Sequence, residues 1–444
     1  MTPTTTSPTR RSWSWKPGDR QPGTRGWAQS WVDLPAWLRW ALYAALGMLV
    51  LTLAQDVSGT ERLTAPAASQ AMLRWSVPIM LAGLGGLFAE RAGVVNIGLE
   101  GMMVLGTWFG AWGAFEFGPW WGVAIGIAGG AAGGLLHAVA TVSFGVDHIV
   151  SGVAINILAP GVARYLSDQF FVGVEGGSIT NSPRVESVGS FTMPFLAGGT
   201  LGGWETPDLL GWFDRQDWFF SSDLGGLARG LLTDVSYLTI LAFALVPFTA
   251  WVLWHTRGGL RLRSCGEHPV AADSLGVDVY RYKYYGVVVS GALSGLAGAF
   301  IVIELTGIYR EGQTLGRGFI GLATLIFGNW YPAGVASGAL LFGFVDGLQL
   351  RDLEGDAVHS LLLLATVFFA VMAVRAWRQG NVVDVMLAGS LAASALVWYL
   401  LSDSVPVWFP SITPFMVVLL VLVFASQHLR PPAADGLVYR RGDT

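Results

Sequence analysis

The stretch ERAGVVNIGLEGMM (residues 90–103) sets an amide, Asn96, and a carboxylate, Glu100, four residues apart in an otherwise apolar context. On a helix that spacing puts both side chains on one face. A charged carboxylate at mid-bilayer costs about 2.5–3.5 kcal/mol on insertion scales, so Glu100 must face protein or water. The pair therefore reads as the lining of a polar pathway, with Gly93, Gly98 and Gly101 loosening the helix around it. The plainer alternative is a helix end, with Glu90 and Arg91 solvated and Glu100 one turn deeper. Other chemistry is sparse. The six histidines (His137, His148, His255, His268, His359 and His428) are scattered and form no metal-ligand pattern. The single Cys265 excludes a disulfide framework and a cysteine-based zinc site. No G-x-x-x-x-G-K-[ST] loop is present, so the chain does not cradle nucleotide phosphates in that manner. Ser337, in VASG (335–338), and His359 faintly resemble a serine–histidine dyad, but Ser337 is more simply a helix-packing serine. No catalytic residue, metal or bound cofactor is assigned to this chain.

The elements that must position these residues are membrane spans. Of the 444 residues, 53% are hydrophobic and only 13% charged, with a mean hydropathy of +0.53. Soluble domains carry about 25% charge, so this is an integral membrane protein. A formal net charge of -4, with lysine only at Lys16 and Lys283, gives no reason to expect nucleic acid. At about 20 apolar residues per span, candidates fall at 37–54, 75–89, 99–115, 120–144, 149–166, 237–254, 284–303, 319–330, 333–350, 358–374, 383–401 and 412–425. The expected fold is all-α and polytopic, with about 10–12 transmembrane helices, some of them too short to cross alone. Arginine-bearing segments at 1–36, 255–283, 375–378 and 430–441 fall on one side, which the positive-inside rule makes cytoplasmic. The acidic segment 167–236 then forms an external loop. Both termini, 1–36 as a flexible tail and 431–444, are expected in the cytoplasm, flanking a transmembrane domain at 37–430.

A second interrupted segment, TLGRGFIGLATLIFGNW (314–330), is also short and broken by glycine. Two Gly-broken apolar segments in corresponding halves point to inverted repeats around a midplane pathway. Phe319 belongs to that region, and with Trp108 and Phe109 it is a candidate to stack on an aromatic solute. Arg317 is expected to snorkel to the outer interface. The runs 122–134 and 291–298 carry small residues about every four positions, a helix-packing pattern. In the basic loop, GEHPVAADSLG (266–276) reads as a short helix, with Glu267 favouring its start, Pro269 in its first turn and Gly276 at its end. Its apolar face, Val270, Ala271, Ser274 and Leu275, suits docking in a partner's groove.

Taken in order, ERAGVVNIGLEGMM, DHIVSGVAINIL (147–158), GEHPVAADSLG, SGALSGLAGA (290–299), GRGFIGLATLIFGNWYPAG (316–334) and the tail RPPAADGLVYRRG (430–442) resemble bacterial ABC importer permeases. The likeness is to the simple-sugar and nucleoside branch, within the superfamily that also serves ribose and branched-chain amino acids. It covers residues from about 75 to the C-terminus; the long outer segment 167–236 and the apolar matter between 358 and 410 depart from it. The resemblance implies a permease subunit of an ATP-driven importer in a bacterial plasma membrane, alternating access for nucleosides first and simple sugars second. It implies two ATP-binding subunits that hold the ATP and magnesium, a second permease chain, and an external binding lipoprotein. By that likeness, 94–101 matches the interrupted helix beside the pathway. Likewise, 267–276 matches the coupling helix, with Glu267, Pro269, Ala271, Ala272 and Leu275 at the ATPase contact. An ion-coupled secondary transporter using Glu100, Glu304 or Asp346 is the first rival, and an intramembrane hydrolase the second.

Overall fold

Without water to bond to, a chain this apolar satisfies its backbone inside helices, and helices dominate the computed structural model. It describes residues 36–58, 63–216, 218–351, 356–402, 405–406, 409, 412–413, 415–419 and 429–441. Almost all of the expected tail 1–36, and much of the expected span 412–425, lie outside the described residues. Helix α1 is Ala36–Ser58. Then come α2 (Pro66–Arg91), α3 (Leu99–Phe117), α4 (Pro119–Ala138, prolonged by the π-helical turn Val139–Ser143) and α5 (His148–Phe170). The segment after α5 carries α6 (Leu209–Asp214), α7 (Ser221–Leu232) and four two-residue strands. These are β1 (Ser190–Phe191), β2 (Thr200–Leu201), β3 (Trp204–Glu205) and β4 (Val235–Ser236), with β1 antiparallel to β4 and β2 to β3. The remainder is α8 (Tyr237–His255), α9 (Arg257–Glu267), α10 (Pro269–Ser274), α11 (Val279–Phe300, with the π-helical turn Ile301–Thr306), α12 (Arg317–Phe327), α13 (Pro332–Arg351), α14 (Asp356–Arg378) and α15 (Val382–Leu401).

Among the described residues, seven helices are long and apolar enough to cross a membrane, and Gly47–Val57, Arg317–Phe327 and Pro332–Leu348 are shorter apolar helices. The protein is a polytopic all-α membrane protein. One expected boundary is corrected. The segment expected at 75–89 is the inner part of the 26-residue α2, which is not short. It starts nine residues earlier, in a polar stretch containing Gln70 and Arg74. A helix can carry such residues where it emerges from hydrocarbon. The interruption is the non-helical link 92–98 between α2 and α3, where Gly93 turns the chain at φ +81°.

From Ser76 to Glu90 every residue of α2 is buried, as expected of a helix apolar on all sides. It packs against α11, α12 and α13. Glycine sets a close crossing between α4 and α11. Gly130 and Gly134 of α4 lie against Gly291 and Gly295 of α11, so close that a Cβ on any of the four would strike the facing backbone. The expected packing role of both runs is thus met at atomic contact. Overpacking of a close-fitted core costs about 1–3 kcal/mol, and more when backbone must move. Gly295→Val is therefore expected to lower stability by at least that margin in detergent unfolding titrations. Gly389→Val on α15, where a Cβ meets nothing within 4 Å, should leave it unchanged.

Candidate functional site

Breaking a helix inside a membrane strands backbone N–H and C=O groups, and each needs a partner. At the first break, side chains from three neighbouring helices supply them. The Val95 amide donates to His148 Nδ1 (3.3 Å), and the Val95 carbonyl lies 3.1 Å from His137 Nε2. That carbonyl requires a proton on His137 Nε2, which leaves Nδ1 to accept from the Ser151 hydroxyl at 2.8 Å. Asn156 closes the other side. Its Nδ2 donates to the Ile97 carbonyl (3.0 Å), and its Oδ1 accepts from the Gly101 amide (2.7 Å). Asn96 is fully buried; its Oδ1 accepts from the Gly98 amide at 3.0 Å, and its Nδ2 donates to Ser290 Oγ of α11 at 2.8 Å.

The second break opens α12, capped by Gly316 at φ +78°. This helix has 11 residues, about 16 Å at 1.5 Å per residue, roughly half of a bilayer's apolar thickness. Its positive N-terminus receives a carboxylate from the first break. Glu100 accepts from the Thr314 hydroxyl (2.6 Å), the Gly316 amide (2.9 Å) and the Gly318 amide (2.7 Å). The anion meets the dipole end that best stabilises it. The two interruptions are thereby bonded to each other.

Glu100, in the first turn of α3, and Asn96, in the non-helical link and so not on one helical face with it as expected, thus lie where the first break meets the half-helix α12. Phe319 stands one turn into α12 and is 45% exposed. Trp108 is enclosed instead: its indole donates to Ser167 Oγ at 2.9 Å, and its ring packs on Phe171 and Trp112. Phe109 lines a cavity of about 230 Å³ between α3, α4 and α5, whose other walls, among them Leu105, Ile155 and Val162, are also apolar. Such walls hold van der Waals contacts only. Arg317 does not snorkel. It is buried and paired with Asp346 of α13 at 2.8 Å, with the Trp75 ring 4.3 Å from its guanidinium carbon. A partner within reach makes the interior site tolerable. Ser337 donates to the Ala333 carbonyl of its own helix and His359 stacks on Tyr399, so the two form no dyad.

Sequence reasoning missed Asn156, His137 and His148 as supports of the break. The signal was present, since all three are polar residues in or beside apolar spans. Glu90 and Arg91, read as solvated in the plainer alternative, are enclosed as well. Glu90 is buried and accepts from the Trp330 indole, and Arg91 donates to the Trp330 carbonyl at 2.7 Å.

The basic loop holds the expected short helix. Pro269 occupies the first turn of α10, and Gly276 follows it at φ +79°. The cap is His268, whose Nδ1 accepts from the Ala271 amide. Glu267 instead lies 3.5 Å from Arg91 and accepts from the Ala433 amide. Val270, Ala271 and Ser274 are exposed and Leu275 is 85% exposed, whereas Ala272 turns inward against Cys265 and Val279. The C-terminal segment straps this loop down. Ala434 donates to the Gly266 carbonyl, Lys283 Nζ donates to the Leu437 carbonyl, Tyr439 packs on Tyr280, and Arg441 pairs with Asp273 at 2.8 Å. That pairing holds the Asp273 carboxyl below its usual range. Asp435 is enclosed beside Glu90, with Lys283 and Arg91 nearby, and burial pushes its carboxyl up to about 7.

The family model described as "Branched-chain amino acid transport system / permease component" matches residues 70–372. Similar proteins include the guanosine ABC transporter permease protein NupQ of Bacillus subtilis, 35% identical over 68% of this chain and 89% of its own. The nucleoside ABC transporter permease protein NupC of Lactococcus lactis is 36% identical, with the same two shares. The putative glucose ABC transporter permease protein TsgC13 of Haloferax volcanii is 34% identical over 62% of this chain and 74% of its own. No solved structure matches.

Asn156→Leu leaves the Gly101 amide and the Ile97 carbonyl without these bonds, at about 1–3 kcal/mol for each buried group. A drop of that size is expected in detergent unfolding titrations. At the basic end, an acid whose docked pKa lies above its free value takes up a proton on docking. The strap should therefore hold best at about pH 4, since further acid protonates Asp273 and frees Arg441, and loosen as pH climbs from there through about 7. Hydrogen exchange of the 433–441 peptides, corrected for intrinsic rate, should show that loss of protection, and Asp435→Asn should flatten it.

Proposed function

This chain belongs to the family of branched-chain amino acid transport system permease components, and we propose that it carries uncharged solutes, nucleosides first, as the permease subunit of an ATP-driven ABC importer. The observation that carries the solute class is charge compensation at the two breaks. A half-helix N-terminus at mid-membrane commonly receives an anionic group of the solute. Here Glu100 already occupies that of α12, and Arg317 is spent on Asp346. The site therefore offers no open cationic group for a carboxylate or phosphate among these residues. Half-exposed Asn156 and Glu100 with exposed Phe319 supply hydrogen bonds and an aromatic face, which suit a base and a ribose. The names of the guanosine and nucleoside relatives support this choice, and the glucose relative keeps simple sugars as the second reading.

Energy enters from outside the chain. Two ATP-binding subunits with their ATP and magnesium dock on Val270, Ala271, Ser274 and Leu275, and their closure tilts the helices around the joined breaks. A second permease chain completes the pathway, and an external binding protein delivers the solute. The setting is a bacterial plasma membrane with both termini in the cytoplasm.

With those partners in proteoliposomes, ATP-dependent accumulation of labelled guanosine is expected, with glucose weaker and leucine absent. Leucine uptake would reject the neutral-solute assignment, and uphill uptake by the isolated chain on an ion gradient would reject the ATP-driven one. Ala271→Glu with Leu275→Glu should cut uptake about tenfold, within the usual span of a coupling free energy, while the chain still inserts. Unchanged uptake would remove these residues from the docking surface.

A further inference from the structure

Helix α7 is built inside out for a helix in water. Its glycines, Gly225, Gly226 and Gly230, are the buried side, whereas Leu224 is 52% and Leu231 36% exposed. On a helical wheel those two leucines lie opposite the glycine face. The glycine face is pressed onto the start of α2, with Gly230 against Pro66 and Ser69. Polar bonds fasten it there. Asp223 accepts from the Thr64 hydroxyl, Gln70 donates to the Thr233 carbonyl at 3.3 Å, and Arg74 pairs with Asp234 at 2.5 Å. Helix α6 packs beside α7 and adds Trp212 and Phe213, while Trp218, 6.1 Å from Trp212 between ring centres, and Phe219 extend the same exposed aromatic surface.

The depth of this surface follows from α2. From Arg74 to Arg91 the helix rises about 26 Å at 1.5 Å per residue, most of the ~30 Å hydrocarbon core of a bilayer. The two turns before Arg74, on which α7 lies, therefore stand at headgroup level. The chain re-enters a span at Tyr237 directly after β4, so the segment ends at the membrane surface. Tryptophan favours that level, and an amphipathic helix with leucine and aromatic side chains outward lies along it.

We propose that α6 and α7 form an apron resting on the bilayer, with Trp212, Phe213, Trp218, Phe219, Leu224 and Leu231 set into the headgroup–acyl boundary of the leaflet beside the α2 N-terminus. The occupant of this face is phospholipid, and the apron anchors the long segment between α5 and α8.

Single cysteines placed by Phe213→Cys, Phe219→Cys or Leu224→Cys in a Cys265→Ser background, nitroxide-labelled in phosphatidylethanolamine–phosphatidylglycerol vesicles, test this. Ile157→Cys on exposed α5 and Glu175→Cys in the loop are the lipid and water references. The three apron labels should collide with oxygen over a nickel chelate in a ratio well above that at 175 and below that at mid-span 157, as their boundary depth requires. A ratio like that at 175 would overturn the proposal in favour of a water-facing surface. Protection from both quenchers would overturn it in favour of a covering protein. The unmodified chain in vesicles carrying a diazirine-acyl phospholipid gives a second reading: photoadducts are expected within 209–232, and their absence there, with adducts present on α5, would also overturn it.

Discussion

Backbone amides that no water can reach govern this molecule. Each interruption of a membrane helix strands N–H and C=O groups at a cost of several kcal/mol apiece. The polar side chains of the apolar interior are distributed to meet that demand. Asn156 and the histidines of α4 and α5 serve the first break, and Asn96 ties it to α11. Glu100 serves the second. Because Glu100 sits on the helix that begins at the first break, the two sites behave as one bonded unit. A residue such as Asn96 thus holds the irregular backbone in place before it can act on any solute.

Charge is handled in the same way. The buried guanidinium of Arg317 has Asp346 and an aromatic face, Lys283 has two carbonyls, and the Glu100 carboxylate has a helix terminus. A buried charge with a complete set of partners is tolerable, and removing one partner is far costlier than the pair is worth. This completeness leaves the centre of the molecule electrically quiet.

How far the sequence disclosed this differs from place to place. Hydropathy alone located nearly every described span, and small-residue spacing located the α4–α11 crossing, because both are local periodicities. Pro269 and Gly276 marked the ends of α10 through backbone preferences that need no neighbour. That Asn96 and Glu100 belong to one interrupted polar stretch was legible too, but the shared helical face was not met, because Asn96 lies in the non-helical link 92–98. Nor were their partners legible, since Ser290 and Gly316 are about two hundred residues away in the chain. The Arg317–Asp346 pair spans only 29 residues, but it joins two different helices, so local spacing did not show it and Arg317 looked like a snorkelling residue. Glu90 looked solvated because its cover, Trp330 and the C-terminal strap, arrives from the far end of the sequence. Leu224 and Leu231 on α7 carried no warning, since leucine on one side of a short helix ordinarily signals a face turned inward.

Lysine is so scarce here that the strap acquires a chemical signature. Apart from Lys16, which lies outside the described residues, the chain has one lysine, and its ammonium is buried while bonded to the carbonyls of Gly93 and Leu437. Acylating reagents and lysine-directed proteases therefore find Lys283 shielded for as long as the C-terminal segment stays seated. Its modification is a built-in record of how often that segment lifts during the working cycle.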